Sequence, residues 1–254
     1  MKVLVLVLLW LVLSVRPLWA EQIVSGMSQT KVSIDASFDG TSILIYGAAT
    51  REEKPPVWPL LQVIVTVEGP VQPIVVRQKA RVAGIWINQG WVAFDGAPSF
   101  YAVMTSGALD EILSVAEDAR LGVSIPRKIG AVRLGAASGA AADYLAALQR
   151  VRSLDGSYRL AANTVLLLQQ SLFRTEVALP ANLIEGEYTV RILLTRGGEV
   201  VDLQESRISV AKEGLERFLF RMAQDQPLLY GVISLILAAV AGGGAAEIFR
   251  RFRL

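Results

Sequence analysis

The chain of 254 residues contains no cysteine and no histidine. Disulfides, thiolate and imidazole nucleophiles, haem attachment, His-based triads and zinc sites of the usual Cys/His kind are therefore excluded. So is a lipid-modified cysteine behind a signal segment. No metal and no cofactor is expected from what remains. Two strongly apolar stretches carry no charge, Val3 to Val15 and Leu228 to Ala246. The basic pI of 9.0 belongs to the ends of the chain. Five of the 25 Lys and Arg residues (Lys2, Arg16, Arg250, Arg251, Arg253) and one of the 23 Asp and Glu residues (Glu247) lie there. The body between them is thus slightly acidic, which excludes the broad cationic footprint that nucleic acid requires.

The second charge-free stretch organises the chain. At about 1.5 Å per residue it is long enough to cross a hydrocarbon core of about 30 Å. The sequence predicts a transmembrane helix over 227–248 and a basic cytoplasmic tail over 249–254. The first stretch is shorter, follows Lys2, and leads through Pro17 to a small residue, Ala20. That is the pattern of a secretory signal peptide over 1–20, although Leu18 fits the cleavage site poorly and an uncleaved anchor is the alternative. A signal followed by a stop-transfer span, with arginines after it, puts the body outside the cytoplasm. In a bacterium this means a single-pass inner-membrane protein with a periplasmic body.

Period-two alternation dominates residues 21–211. It marks strands at Val32–Asp35, Ser42–Gly47, Leu61–Glu68, Ile74–Arg77, Gly84–Asn88, Ser99–Met104, Phe173–Pro180, Gly186–Leu194 and Val200–Val210. Gly197-Gly198 suits a tight hairpin. Between about 107 and 156 the period becomes helical. Leu109, Ile112, Leu113 and Ala116 share one face after an N-cap at Ser106 and before a stop at Gly122, and a second helix starts near Ser138. The fold expected is mainly β: one Ig-like β-sandwich with an inserted helical pair, or, alternatively, two small β domains. Tyr188, at the start of a strand, should bond back across the preceding loop as a sandwich corner does. Lys212–Gln226 reads as a juxtamembrane amphipathic helix.

Two sets of residues are candidates for function. Arg77, Lys79 and Arg81 share one strand face, and Trp86, Asn88, Trp91 and Tyr101 follow. Such a cationic row beside aromatics can take an oxyanion or a partner's acidic loop; a solvated strand face over a tryptophan core is the competing reading. In the span, Ala238, Gly242 and Ala246 recur every fourth residue and would let another helix approach closely, unless the glycine is merely tolerated. Signals of catalysis are thin. Ser138 lacks both the spacing of a nucleophile elbow and a histidine to serve it, and Ser124 and Lys128 are one residue too far apart for a Ser-x-x-Lys pair. Glu52-Glu53 and Glu117-Asp118 read as solvated charge. A non-catalytic accessory or binding protein is expected; a periplasmic enzyme built on carboxylates brought together from distant positions is the alternative.

The order of motifs resembles that of the alphaproteobacterial putative transmembrane protein family. The matching stretches are Val32-Ser33-Ile34, Phe38-Asp39-Gly40, Tyr46-Gly47-Ala48, Arg77 to Arg81, Gly84 to Asn88, Pro98 to Val103, Leu172-Phe173-Arg174, Leu179-Pro180, Gly186-Glu187-Tyr188 and Leu229-Tyr230-Gly231. Tyr46 departs from the phenylalanine expected there, and the exchange keeps the ring. The resemblance implies an envelope protein anchored in the inner membrane and a link to sulfite-exporter-like permeases, hence a membrane-protein partner. It supplies no catalytic residue.

Overall fold

The computed structural model describes residues 21–252 apart from 36, 53, 55, 130–131, 135–140, 213–218 and 220–221. The signal segment, Ser138, most of the expected juxtamembrane helix and the last two residues lie outside the described ones. The chain is mainly β, with a long apolar helix at its C-terminal end.

Two sheets enclose the main core. The first has the order β1–β3–β11–β10, from strands Gln22–Met27, Gly40–Thr50, Leu172–Pro180 and Leu166–Leu168. The second has the order β2–β13–β12–β4–β7–β9, from Lys31–Ile34, Glu199–Lys212, Gly186–Arg196, Leu61–Glu68, Tyr101–Thr105 and Tyr158–Ala161. Strands from both halves of the sequence therefore share each sheet. Ile43, Ile45, Phe173 and Val177 of the first sheet meet Val63, Val65, Val190, Ile192 and Ile208 of the second.

The composition of each strand follows from what covers it. Strand β11, FRTEVALP after its leucine, alternates strictly between exposed and buried because its outer face meets water. Strands β4, β7 and β12 are buried on both faces and read as nearly continuous apolar runs. Their second face carries Ile64, Tyr101, Val103 and Leu193 into another core, completed by Ile112, Val123, Tyr144 and Leu148 from the helical segment. The layers are thus sheet, sheet, and a helical cover.

That cover departs from the expected helical pair. Helices α1 (Leu109–Ile112), α2 (Val115–Leu121) and α3 (Ile125–Lys128) precede a short strand β8 (Val132–Leu134) and α4 (Ala141–Leu154). Instead of one helix capped by Ser106, the chain breaks at Leu113, which is extended, and Ser114 caps α2 by accepting from the Glu117 amide. Ser106 is engaged elsewhere: its Oγ accepts the Val63 amide at 2.9 Å and donates to Gln62 at 2.6 Å. Gly122 does stop α2, in the left-handed conformation with φ of 59°. Arg191, buried in β12, donates to the carbonyls of Leu121 and Gly122 at that helix end, at 2.9 and 3.4 Å. The position suits a cation at a helix C-terminus. Tyr188 donates to the Ile184 carbonyl at 2.9 Å, closing the loop before its own strand.

The largest departure from the sequence reading concerns residues 71–98. They form two long strands, β5 (Val71–Val82) and β6 (Ile85–Pro98), in a third sheet whose remaining member is β8. The ribbon continues the β4–β7 pair outward. Glu68 faces Tyr101, the Gly69 amide donates to Phe100, Ser99 donates to Pro70, and Val71 faces Pro98. Its base, through Ile74, Val76, Val92 and Phe94, packs into the second core, while its outer half leaves the body.

The helix α5 (Pro227–Phe252) includes an apolar window from Pro227 to Ala245 with a mean hydropathy of 2.0. It is the one helix among the described residues long and apolar enough to cross a membrane.

Candidate functional site

The outer half of the β5–β6 ribbon is an arm. From Arg77 to Gln89 every residue except Ala80 is exposed. The arm turns through Ala83 and Gly84 with φ of 49° and 86°, so both central residues are left-handed. This is the two-residue loop whose twist matches that of paired strands, and glycine at the second position tolerates it without penalty.

Register decides which side chains meet. Arg77 faces Trp91, Lys79 faces Asn88 and Arg81 faces Trp86. Directly opposed residues lie on one side of a ribbon, so all six share a face. Trp86 and Trp91 are five residues apart, and strict alternation would separate them. A β-bulge at Gln89, between the Gln78–Gly90 and Lys79–Asn88 pairs, restores Trp91 to the cationic face. The reverse face carries Ala80 opposite Ile87 and Val82 opposite Ile85. Trp86 is 68% exposed, Ile85 65% and Trp91 41%. Arg77, Lys79 and Arg81 have no ion-pair partner among the described residues. No acidic residue occurs between Glu68 and Asp95.

Tyr101 is not part of this surface. It is fully buried on β7, and its hydroxyl donates to the Val123 carbonyl at 2.7 Å. Burial pushes its pKa well above the ordinary tyrosine value, although the nearby Arg191 guanidinium pulls the other way. Lys128 stands 5.9 Å from the ring centroid and pairs with Glu68 at 2.5 Å. Tyr101 thus joins the arm's root to the helical cover and touches none of the arm's cations.

The buried and half-buried carboxylates have structural partners. Glu21, Glu68 and Glu117 pair with cations. Asp118 accepts from the Val123 and Ser124 amides and the Ser124 hydroxyl, so it is not the solvated charge expected. Asp202 accepts from the Ile23 and Leu203 amides. Glu21, 7% exposed, accepts from Arg51 at 2.9 Å and from Arg196 at 2.7 Å, and Arg51 also donates to the Gln170 carbonyl. Among the described residues no group of three or more acidic side chains gathers as a metal site. In the span, Ala238, Gly242 and Ala246 fall on one helix, four residues apart. Ala238 is exposed, and a Cβ added to Gly242 would meet nothing within 4 Å, so the stripe is uncovered at these two positions. Of Ala246 only the backbone is described.

Sequence reasoning missed Arg191, since a lone cation inside Val190–Leu194 looks like an interruption of the strand. The signal that could have found it is the same interruption: a charge in a doubly buried strand must find partners.

A family model described as putative transmembrane protein matches residues 22–251. No curated protein matches the chain.

Proposed function

The chain belongs to the putative transmembrane protein family, and from that premise we propose that it is a non-catalytic accessory or binding protein of the bacterial inner membrane. Its Ig-like body is exported to the periplasm, its single span holds it there, and its C-terminus is cytoplasmic. The observation that carries the reading is the arm. Three cations with no ion-pair partner among the described residues and five large apolar side chains, Val82, Ile85, Trp86, Ile87 and Trp91, stand exposed together. A soluble body gains nothing from an uncovered surface of this kind, and such surfaces mark contact sites. The arm engages a negatively charged surface at the membrane, and the stripe of Ala238, Gly242 and Ala246 receives a helix of another membrane protein of the permease kind. Close backbone approach drives that second contact, because lipid is as apolar as leucine and leaves no hydrophobic preference between them.

The test is affinity capture of the full chain from membranes, with and without Gly242→Leu. Leucine favours the bilayer centre, so insertion is retained. A membrane protein that accompanies the parent should be lost or strongly depleted in the variant, because leucine at 242 blocks close backbone approach. Capture of the same proteins in the same amounts by both chains would refute the helix contact. Capture of no membrane protein by the parent would remove the accessory role itself.

A further inference from the structure

We propose that the tip of the β5–β6 arm beds into the headgroup zone of an anionic lipid bilayer, giving the body a second attachment beside its span. The proposal rests on the reading of the arm as the contact surface and names what covers it.

Three observations favour lipid. First, the apolar residues surround the turn. Val82 and Ile85 lie on one face, Trp86 lies on the other, and all three are within two residues of Ala83-Gly84. A protein groove covers one face of a hairpin and leaves the other wet. An interface that the tip enters covers both. At about 3.3 Å per residue these side chains occupy the last 5–7 Å or so of the arm, which is close to the depth of about 5–10 Å to which interfacial elements sink.

Second, the cations stand behind the apolar tip in order. Arg81 is opposite Trp86, Lys79 is opposite Asn88 and Arg77 is opposite Trp91, so they extend along roughly 17 Å of strand measured to Val82. Tryptophan is at home at the headgroup level, and lysine and arginine there meet lipid phosphates. No acidic residue lies between Glu68 and Asp95 to oppose that attraction.

Third, the arm leaves the body at the end of the second sheet that leads to the span. Glu68, the last residue of β4, pairs with Thr189, and Thr189 pairs with Arg207. Strand β13 runs on past that level, through Val210 opposite Gly186, to Lys212. The arm's root and the chain's exit toward α5 are therefore at one end. A tethered arm meets the bilayer at high effective concentration, so a weak intrinsic affinity is enough.

The chain has no cysteine, so Ile85→Cys provides a unique site for an environment-sensitive fluorophore. The full-length chain is reconstituted into bilayers of phosphatidylcholine, alone or in equal parts with phosphatidylglycerol, that contain lipids with a nitroxide on the acyl chain. The label at 85 should be shielded and quenched in the anionic bilayer and released by salt. A label at Ala178→Cys, on the exposed face of β11, should stay in water. Replacing Arg77, Lys79 and Arg81 with glutamine should shift the bedded-to-free ratio by roughly fivefold per cation, about a hundredfold together. A label at 85 that remains in water in every bilayer overturns the proposal. So does quenching that is equal in neutral bilayers and in the neutralised arm. If the label stays in water while the parent still captures a membrane protein through the arm, the lipid assignment falls and the accessory role stands. If neutralising the arm changes neither lipid quenching nor captured protein, both fall.

Discussion

Tyr101→Phe separates the buried role of this tyrosine from a role in binding. The substitution removes one oxygen from a side chain with no solvent exposure. It leaves the Val123 carbonyl without the donor now 2.7 Å away. The ring keeps its packing and its cation, Lys128. The cost is that of one unsatisfied buried acceptor, about 1–3 kcal/mol at neutral pH. For a chain of this size that is a fall in Tm of about 2–10 °C, read by circular dichroism of the detergent-solubilised protein. A second signature follows from ionisation. The Tyr101 hydroxyl titrates above its ordinary value of 10.0 because burial disfavours the phenolate. Above pH 10.0 the unfolded state releases the proton while the folded state keeps it. The parent then loses about 1.4 kcal/mol of stability per pH unit through this residue. The phenylalanine variant lacks that loss, so the gap between the two proteins should narrow as pH rises and close within roughly 1–2 units. Equal stability at neutral pH, or parallel alkaline limbs, would refute the argument.

Other outcomes follow from the same contacts. Tyr188→Phe removes the bond to the Ile184 carbonyl and should cost about 1–3 kcal/mol in the same melt; an unchanged Tm would deny that this bond holds the corner. Glu21→Gln takes the shared carboxylate from Arg51 and Arg196, whose side chains are 14% and 11% exposed. A loss of about 3 kcal/mol is expected in denaturant titration, and a shift below about 0.5 kcal/mol would show that the arginines rehydrate freely. A reporter active only outside the cytoplasm should work when fused after Gln226 and be silent after Leu254; the reverse pattern would overturn the exported body.

The sequence disclosed what depends on local pattern. The span followed from an uncharged stretch, the strands β4 and β12 from their β-rich composition, and the stop at Gly122 from glycine alone. The Tyr188 bond was legible because donor and acceptor lie four residues apart. What was hidden depends on register and on contacts distant in sequence. Ile74–Arg77 and Gly84–Asn88 resembled short sandwich strands, but a turn at Ala83-Gly84 and two bulges join them into one arm. Alanine in a left-handed turn gives no signal. The bulge at Gln89, which brings Trp91 beside Arg77, cannot be seen in alternation. Strands β2 and β9 pair in parallel with β13 and β7, partners at least 50 residues away along the chain. Leu109 to Ala116 has the spacing of one helix, yet Ser114 competes for the Glu117 amide and splits it in two. Tyr101 joined the arm in sequence only because it follows the tryptophans closely.

The central claim, that the arm is the contact surface of this membrane protein, is tested most directly by photo-crosslinking in intact membranes. A photoreactive residue is placed at Trp86 on the arm or at Glu176, on the exposed face of β11. The account predicts adducts from position 86, to lipid or to a membrane protein, that disappear when Arg77, Lys79 and Arg81 are neutralised, and none from position 176. Adducts from 176 with none from 86 would contradict it.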